Sequence, residues 1–176
     1  MGLEVFVANE QSDQAVDCER WAGLAEASLR SLGIRGDAEL SVLFVDEQTI
    51  AALNERYLSE HGPTDVLSFP IEDGPLAPSR SAPGREGRAG PTNAGVEDDA
   101  LMLLGDVVIC PAVAWRNAPD HAGSYDDEIA LLLVHGILHL LGMDHAENEE
   151  AELMEARERE LLSEHYRSAE RPAPPQ

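Results

Sequence analysis

Glu128-Ile-Ala-Leu-Leu-Leu-Val-His135-Gly-Ile-Leu-His139-Leu-Leu-Gly142-Met-Asp144-His145 is the stretch on which the reading of this chain turns. Residues 129–141 are apolar apart from Gly136 and two histidines, which predicts a long helix over about residues 126–141. On such a helix His135 and His139 project from one face, one turn apart. Gly142 takes readily to the left-handed conformation that ends a helix, so the chain can turn back and bring His145 toward the same point. Three neutral imidazoles then converge and leave a fourth position for water. That is the composition of a catalytic zinc site, whereas structural zinc sites are closed by four ligands and are rich in cysteine.

The spacing H-x3-H-x2-G-x2-H matches the extended zincin signature except at its second position, where Gly136 replaces the glutamate of metallopeptidases. That glutamate is the general base of peptide hydrolysis, so its absence argues against a peptidase while leaving the metal cage intact. One zinc ion per chain, held by His135, His139 and His145, is the expected cofactor.

Length and charge narrow the field further. A chain of 176 residues fits one domain with a sizeable core. A formal charge of -22 gives a surface that repels nucleic acid at long range, which counts against a simple RNA- or DNA-binding module. Cys18 and Cys110 form no CxxC pair, so neither a zinc ribbon nor a redox motif is available. No stretch resembles a signal peptide or a membrane span, and the chain is expected to be cytoplasmic.

Outward from the histidine helix, residues 3–7 read as a first strand. Asp13 or Asp17 can cap a helix carrying Trp21, Leu24, Ala25, Ser28 and Leu32, which Gly33 stops. Residues 39–45 (ELSVLFV) form a second strand, and Asp46 caps a short helix with Ile50, Leu53, Asn54, Tyr57 and Leu58 that Gly62 and Pro63 end. Residues 64–69 are a third strand and residues 101–110 (LMLLGDVVIC) a fourth, with Gly105 marking a bulge or a close approach. Pro111 opens a short helix. A final helix over about residues 147–166 is expected to turn Leu153, Met154, Leu161 and Leu162 inward and its acids outward. The predicted fold is a single α+β domain with a small mixed sheet of about four strands, helices packed on it, and the zinc site on the long C-terminal helix and the turn after it. That domain is expected over residues 1–170, interrupted at 72–99 by an insertion too poor in apolar residues to order itself, with residues 171–176 a frayed tail.

Three segments, Leu53-Asn54-x-x-Tyr57, Pro63-Thr-Asp-Val-Leu-Ser-Phe-Pro70, and Leu104-Gly-Asp-Val-Val-Ile109 with the later His135-to-His145 run, give the chain a further identity. In these it resembles the YbeY-type endoribonucleases, or ribosomal RNA maturation factors, across most of its length. The resemblance implies a cytoplasmic zinc hydrolase that cleaves single-stranded RNA, takes part in maturing the 3′ end of small-subunit ribosomal RNA, and acts in ribosome quality control. Its implied partners are ribosomal RNA, the small ribosomal subunit and that subunit's assembly proteins, with no membrane and no DNA. The family's zinc-binding histidines fall on His135, His139 and His145. Many members follow the tyrosine of the first segment with an arginine assigned to catalysis, and here that position is Leu58. Arg56 is the nearest catalytic candidate, although helical geometry turns it about 200° away from that position.

Asp144, beside the third ligand, is expected either to orient an imidazole or to make an Asx turn next to Gly142. Asp65 and Asp106 are expected to serve turns or strand edges more than the site. Glu128 lies seven residues before His135 on the same face, as a partner of the site or, more commonly for such a residue, as an exposed acid of the first helical turn. His61, His121 and His165 are expected to be solvated. The attacking group, water or a ribose 2′-hydroxyl, is left open by the sequence. So is a second class of function, a zinc-stabilised ribosome-assembly factor without turnover, with a metallopeptidase a distant third.

Overall fold

Three apolar-rich segments and a short fourth one pair into a sheet in the computed structural model, which describes residues 2–71, 101–143 and 147–167. Strands β1 (Leu3–Asn9), β2 (Ala38–Phe44), β3 (Val66–Pro70) and β4 (Met102–Ile109) lie in the order β1-β2-β4-β3. β1 and β4 both run parallel to β2, and β3 adds an antiparallel edge beside β4. Between the strands run α1 (Cys18–Ser31) and α2 (Glu47–Leu58), and after them α3 (Pro111–Asn117), α4 (Tyr125–Leu140) and α5 (Asn148–Leu161). A 3-10 turn at Ala118–Asp120 and a π-helical turn at Leu162–Arg167 complete the described chain. The α+β class, the mixed four-stranded sheet and the order of elements are those expected.

Period-two patterning decides which face of the sheet is inside. Ala38, Leu40, Val42 and Phe44 of β2 are all fully buried and join Leu104, Val107 and Ile109 of β4 in the main core. α1 and α4 close this face. On the opposite face a smaller cluster gathers Val45, Leu67, Val108 and Cys110 under Ile50 of α2 and Val113 of α3.

The helix ends obey local chemistry. Asp17 and Asp46 cap α1 and α2, accepting hydrogen bonds from the amides of Arg20 (3.1 Å) and Thr49 (2.8 Å). α1 ends in a Schellman turn at Gly33, where the Ile34 amide donates to the Leu29 carbonyl. α2 stops earlier than its glycine and proline suggest, at Ser59 in the left-handed region (φ 55°), and Asn54 then ties the following loop by donating to the Gly62 carbonyl at 3.1 Å. Its Tyr57 and Leu58 lie exposed rather than inward.

Gly105 makes the close approach expected of it. The β2–β4 register slips there by one residue, and a Cβ at Gly105 would stand 2.3 Å from the Phe69 carbonyl oxygen. In α5 the expected inward set needs one correction, because Leu153 is 66% exposed while Met154, Glu158 and Leu161 are buried. The stripe that meets α4 therefore runs one position later and includes an acid. The insertion at 72–99, the tail at 171–176, and Asp144 and His145 lie outside the described residues.

Candidate metal centre and its cleft

α4 is apolar nearly all round and packs against α1, α3, α5, β3 and β4. From Glu128 to Leu140 its residues are buried with three exceptions, Leu131, His135 and His139, at i, i+4 and i+8. This narrow stripe is where the helix meets a cleft, and it carries both imidazoles. Their rings stand edge to face with centroids 4.5 Å apart, and the two Nε2 atoms approach to 3.0 Å. Two ligands of a tetrahedral zinc at about 2.0–2.1 Å lie roughly 3.3 Å apart, so this pair needs little adjustment to share an ion.

The carboxylate supporting the pair comes from α5. His135 Nδ1 lies 2.5 Å from Glu158 Oε1, and Glu158 is itself buried at 8% exposure. An ionised carboxylate only accepts, so the His135 proton sits on Nδ1 and the lone pair of Nε2 faces the cleft. Ligating histidines usually hand their other N–H to such an acceptor, which fixes ring and tautomer. The donor set thus fits zinc. Gly142 (φ 92°) ends α4 in a second Schellman turn, with the Met143 amide donating to the Leu138 carbonyl at 3.0 Å, as the sequence led us to expect. Among the described residues no three His, Cys, Asp or Glu side chains gather around one point.

Gly136 faces the sheet and not the cleft. A Cβ there would meet Val107 Cγ1 at 2.7 Å and Ser68 Oγ at 3.3 Å, and Ser68 Oγ donates to the Gly136 carbonyl at 3.1 Å. The peptidase glutamate therefore has no room at this position.

The cleft is a cavity of about 450 Å³ walled by His135, Leu131, Glu155 and Glu158 on the helical side and by Asp65, Val66 and His121 opposite. Asp65 has the local role expected, its Oδ1 accepting from the Val66 amide at 2.8 Å, and it also borders this cavity. Asp106 lies on the sheet, where burial raises its carboxyl above the usual range, partly offset by a hydrogen bond from Ser41. Arg56 does not line the cavity, and its guanidinium lies 5.3 Å from the Tyr57 ring centre. Arg116 lines an adjoining cavity of about 290 Å³ and is paired with Glu47, whose carboxyl it holds below the usual range through a hydrogen bond.

Two residues, Glu128 and His165, depart from the sequence reading. Glu128 is not an exposed acid; it is fully buried and accepts from His121. His121 is exposed as expected, though held by Glu128, whereas His165 is largely packed, its Nε2 2.7 Å from Ser31 Oγ. Glu158 was legible in principle, since it falls four residues after Met154 and three before Leu161, on the apolar stripe of α5.

The sequence model of the family described as "Endoribonuclease YbeY" matches residues 6–166 of this chain. The chain belongs to that family. It is 48% identical over 168 residues to the endoribonuclease YbeY of Thermobifida fusca, covering 96% of this chain and 97% of that one. To the endoribonuclease YbeY of Frankia casuarinae it is 44% identical over 161 residues, 92% of this chain and 74% of the relative. A solution structure of a Thermotoga maritima protein superposes with a TM-score of 0.52 at 23% identity, covering 98% of this chain and 99% of that one, which is a likeness of fold.

Proposed function

We propose that this chain is a zinc-dependent, single-strand-specific endoribonuclease of the cytoplasm that acts on ribosomal RNA, in 3′-end maturation of the small subunit and in ribosome quality control. The observation that carries this reading is the approach of His139 Nε2 to His135 Nε2, with His135 lining a cavity and Glu158 fixing its ring. His145, three residues past Gly142, is the third ligand in this reading. Membership in a family named for endoribonuclease activity supports RNA as the substrate. Among the described residues no helix is long and apolar enough to cross a membrane.

Zinc bound here would polarise a phosphoryl oxygen and supply a bound water with its pKa brought toward neutrality. The chain's own residues do the rest. Glu158 keeps His135 in one tautomer, Leu131 and Met154 give the cavity an apolar wall, and Asp65 and Glu155 bound it with negative charge. That charge favours a cation at the centre and disfavours a bare phosphodiester, so affinity for RNA alone is expected to be modest.

A second reading, an assembly factor without turnover, draws on Leu58 at the family's arginine position and on Arg56 lying away from the cavity. The same experiment separates the two. Purified protein should hold about one zinc per chain, and His139→Ala should lose most of it, since two imidazoles bind the ion more weakly than three. Wild type should cleave a single-stranded ribosomal 3′-end RNA, and His135→Ala should not, with chelation abolishing the wild-type reaction. Zinc binding without cleavage, alone or with small ribosomal subunits, would favour the assembly factor.

A further inference from the structure

We propose that His121 is the proton donor to the ribose oxygen that departs when the RNA strand is cut, a role that rests on the endoribonuclease reading above. Glu128 has no exposed surface, and removing a carboxylate from water is costly unless its oxygens are hydrogen-bonded. It accepts from one ring and the backbone beside it: His121 Nδ1 at 2.8 and 2.9 Å and the Ala122 amide at 3.1 Å. The carboxylate only accepts, so Nδ1 carries the hydrogen and Nε2 is the atom turned away from Glu128. The ring is not buried with its partner, since the His121 side chain is 58% exposed.

Its position gives that exposure a purpose. Besides the cavity it shares with His135, His121 lines two neighbours of about 390 and 290 Å³, one running toward Arg159 and Arg167 and the other toward Arg116. It is the one residue common to all three, which together carry arginines, one of them paired with Glu47, among several acids. A strand entering the shared cavity meets the imidazole in the same space as His135. A buried carboxylate behind an exposed imidazole is the arrangement that orients a histidine for proton transfer and compensates the charge it carries when protonated.

The step balances simply. The attacking oxygen, from water or a 2′-hydroxyl, forms a new bond to phosphorus, and the old P–O bond breaks with its electron pair staying on the departing ribose oxygen. His121 Nε2 gives its proton to that oxygen and regains one from solvent.

The test uses the zinc-loaded full chain and single-stranded RNA in which sulfur replaces, in turn, each bridging oxygen of one linkage. A thiolate leaves without a proton, so removing the acid should matter only for the oxygen ester. His121→Ala should slow cleavage of the natural linkage by about 10²–10⁴-fold and recover to within a few fold of wild type on one of the sulfur-bridged linkages. Equal losses on all linkages, which a merely structural tie between Glu128 and the 118–124 loop would give, overturn the proposal, and so does no loss at all. If His121→Ala melts well below wild type, His121→Gln is read by the same criteria. A second readout needs no turnover: in zinc-free protein a short single-stranded RNA should perturb the His121 ring nitrogen resonances, and unchanged resonances at saturation count against it. Cleavage by wild type no faster than by His135→Ala would defeat the endoribonuclease reading itself and is seen before His121 is varied.

Discussion

His135 and Glu158 meet across two helices, Nδ1 to Oε1 at 2.5 Å, so the imidazole offered to a metal is held by a residue twenty-three positions later in the chain. α5 therefore supports the candidate metal site without contributing a candidate ligand. Removing this acceptor frees the ring to rotate and to change tautomer. Glu158→Ala is expected to weaken zinc binding by about 10–100-fold, with Glu158→Gln losing less because its amide oxygen still accepts from Nδ1. Competition against a chromophoric chelator measures it, and an affinity equal to wild type would show that the contact is incidental.

Gly136 is expected to be required by packing and not by chemistry. Gly136→Ala places a methyl 2.7 Å from Val107 Cγ1, and overpacking of this kind costs about 1–3 kcal/mol. Denaturant unfolding should show that loss, and Val107→Ala combined with it should return part of it. Additive effects in the double variant would mean that the two residues do not collide.

At Gly105 two constraints coincide. Its φ of 127° is rarely adopted by residues with a side chain, and a Cβ would strike the Phe69 carbonyl, which as backbone cannot swing aside. Gly105→Ala should therefore destabilise the protein more than Gly136→Ala does, and should loosen the β3–β4 pairing that borders the cleft. Amide exchange across the Ser68–Val107 pair reports on that loosening, and protection as in wild type would count against it.

Asp106 gives a prediction in pH. Its carboxyl is raised above 3.8 chiefly by burial, so the folded protein holds the proton more tightly than the unfolded chain. The stabilisation from the protonated form is complete below the unfolded pKa and is lost as pH rises through the folded one. Asp106→Asn should therefore raise the melting temperature at pH 7 and change it little below about pH 3.8, where the carboxyl is neutral in both states. A melting temperature at pH 7 equal to or below wild type would contradict the burial argument.

Much of this architecture is written locally. Short apolar, β-favouring runs mark the four strands, Asp17 and Asp46 mark helix starts, and Gly33 and Gly142 mark stops, because each works through bonds a few residues long. The spacing of His135 and His139 is likewise a property of one helix. What escaped the sequence depends on tertiary neighbours. Glu128 looks like an ordinary acid of a first turn until the 118–124 loop folds over it, and His121 in that loop has no periodicity to betray its partner. Glu158 sits between these cases, since the stripe of α5 includes it but an acid on an apolar stripe is easily read as the boundary of that stripe.

Because α4 is walled in on nearly every side, the backbone beneath both histidines cannot open without dismantling the core. Amides from Leu133 to Leu140 should exchange with solvent only through global unfolding, so the two imidazoles are presented on one of the slowest-exchanging parts of the molecule. Adaptation to substrates of different shape must then fall to the surfaces around the helix, the 118–124 loop and α5, while the spacing of this ligand pair stays constant for as long as the protein remains folded.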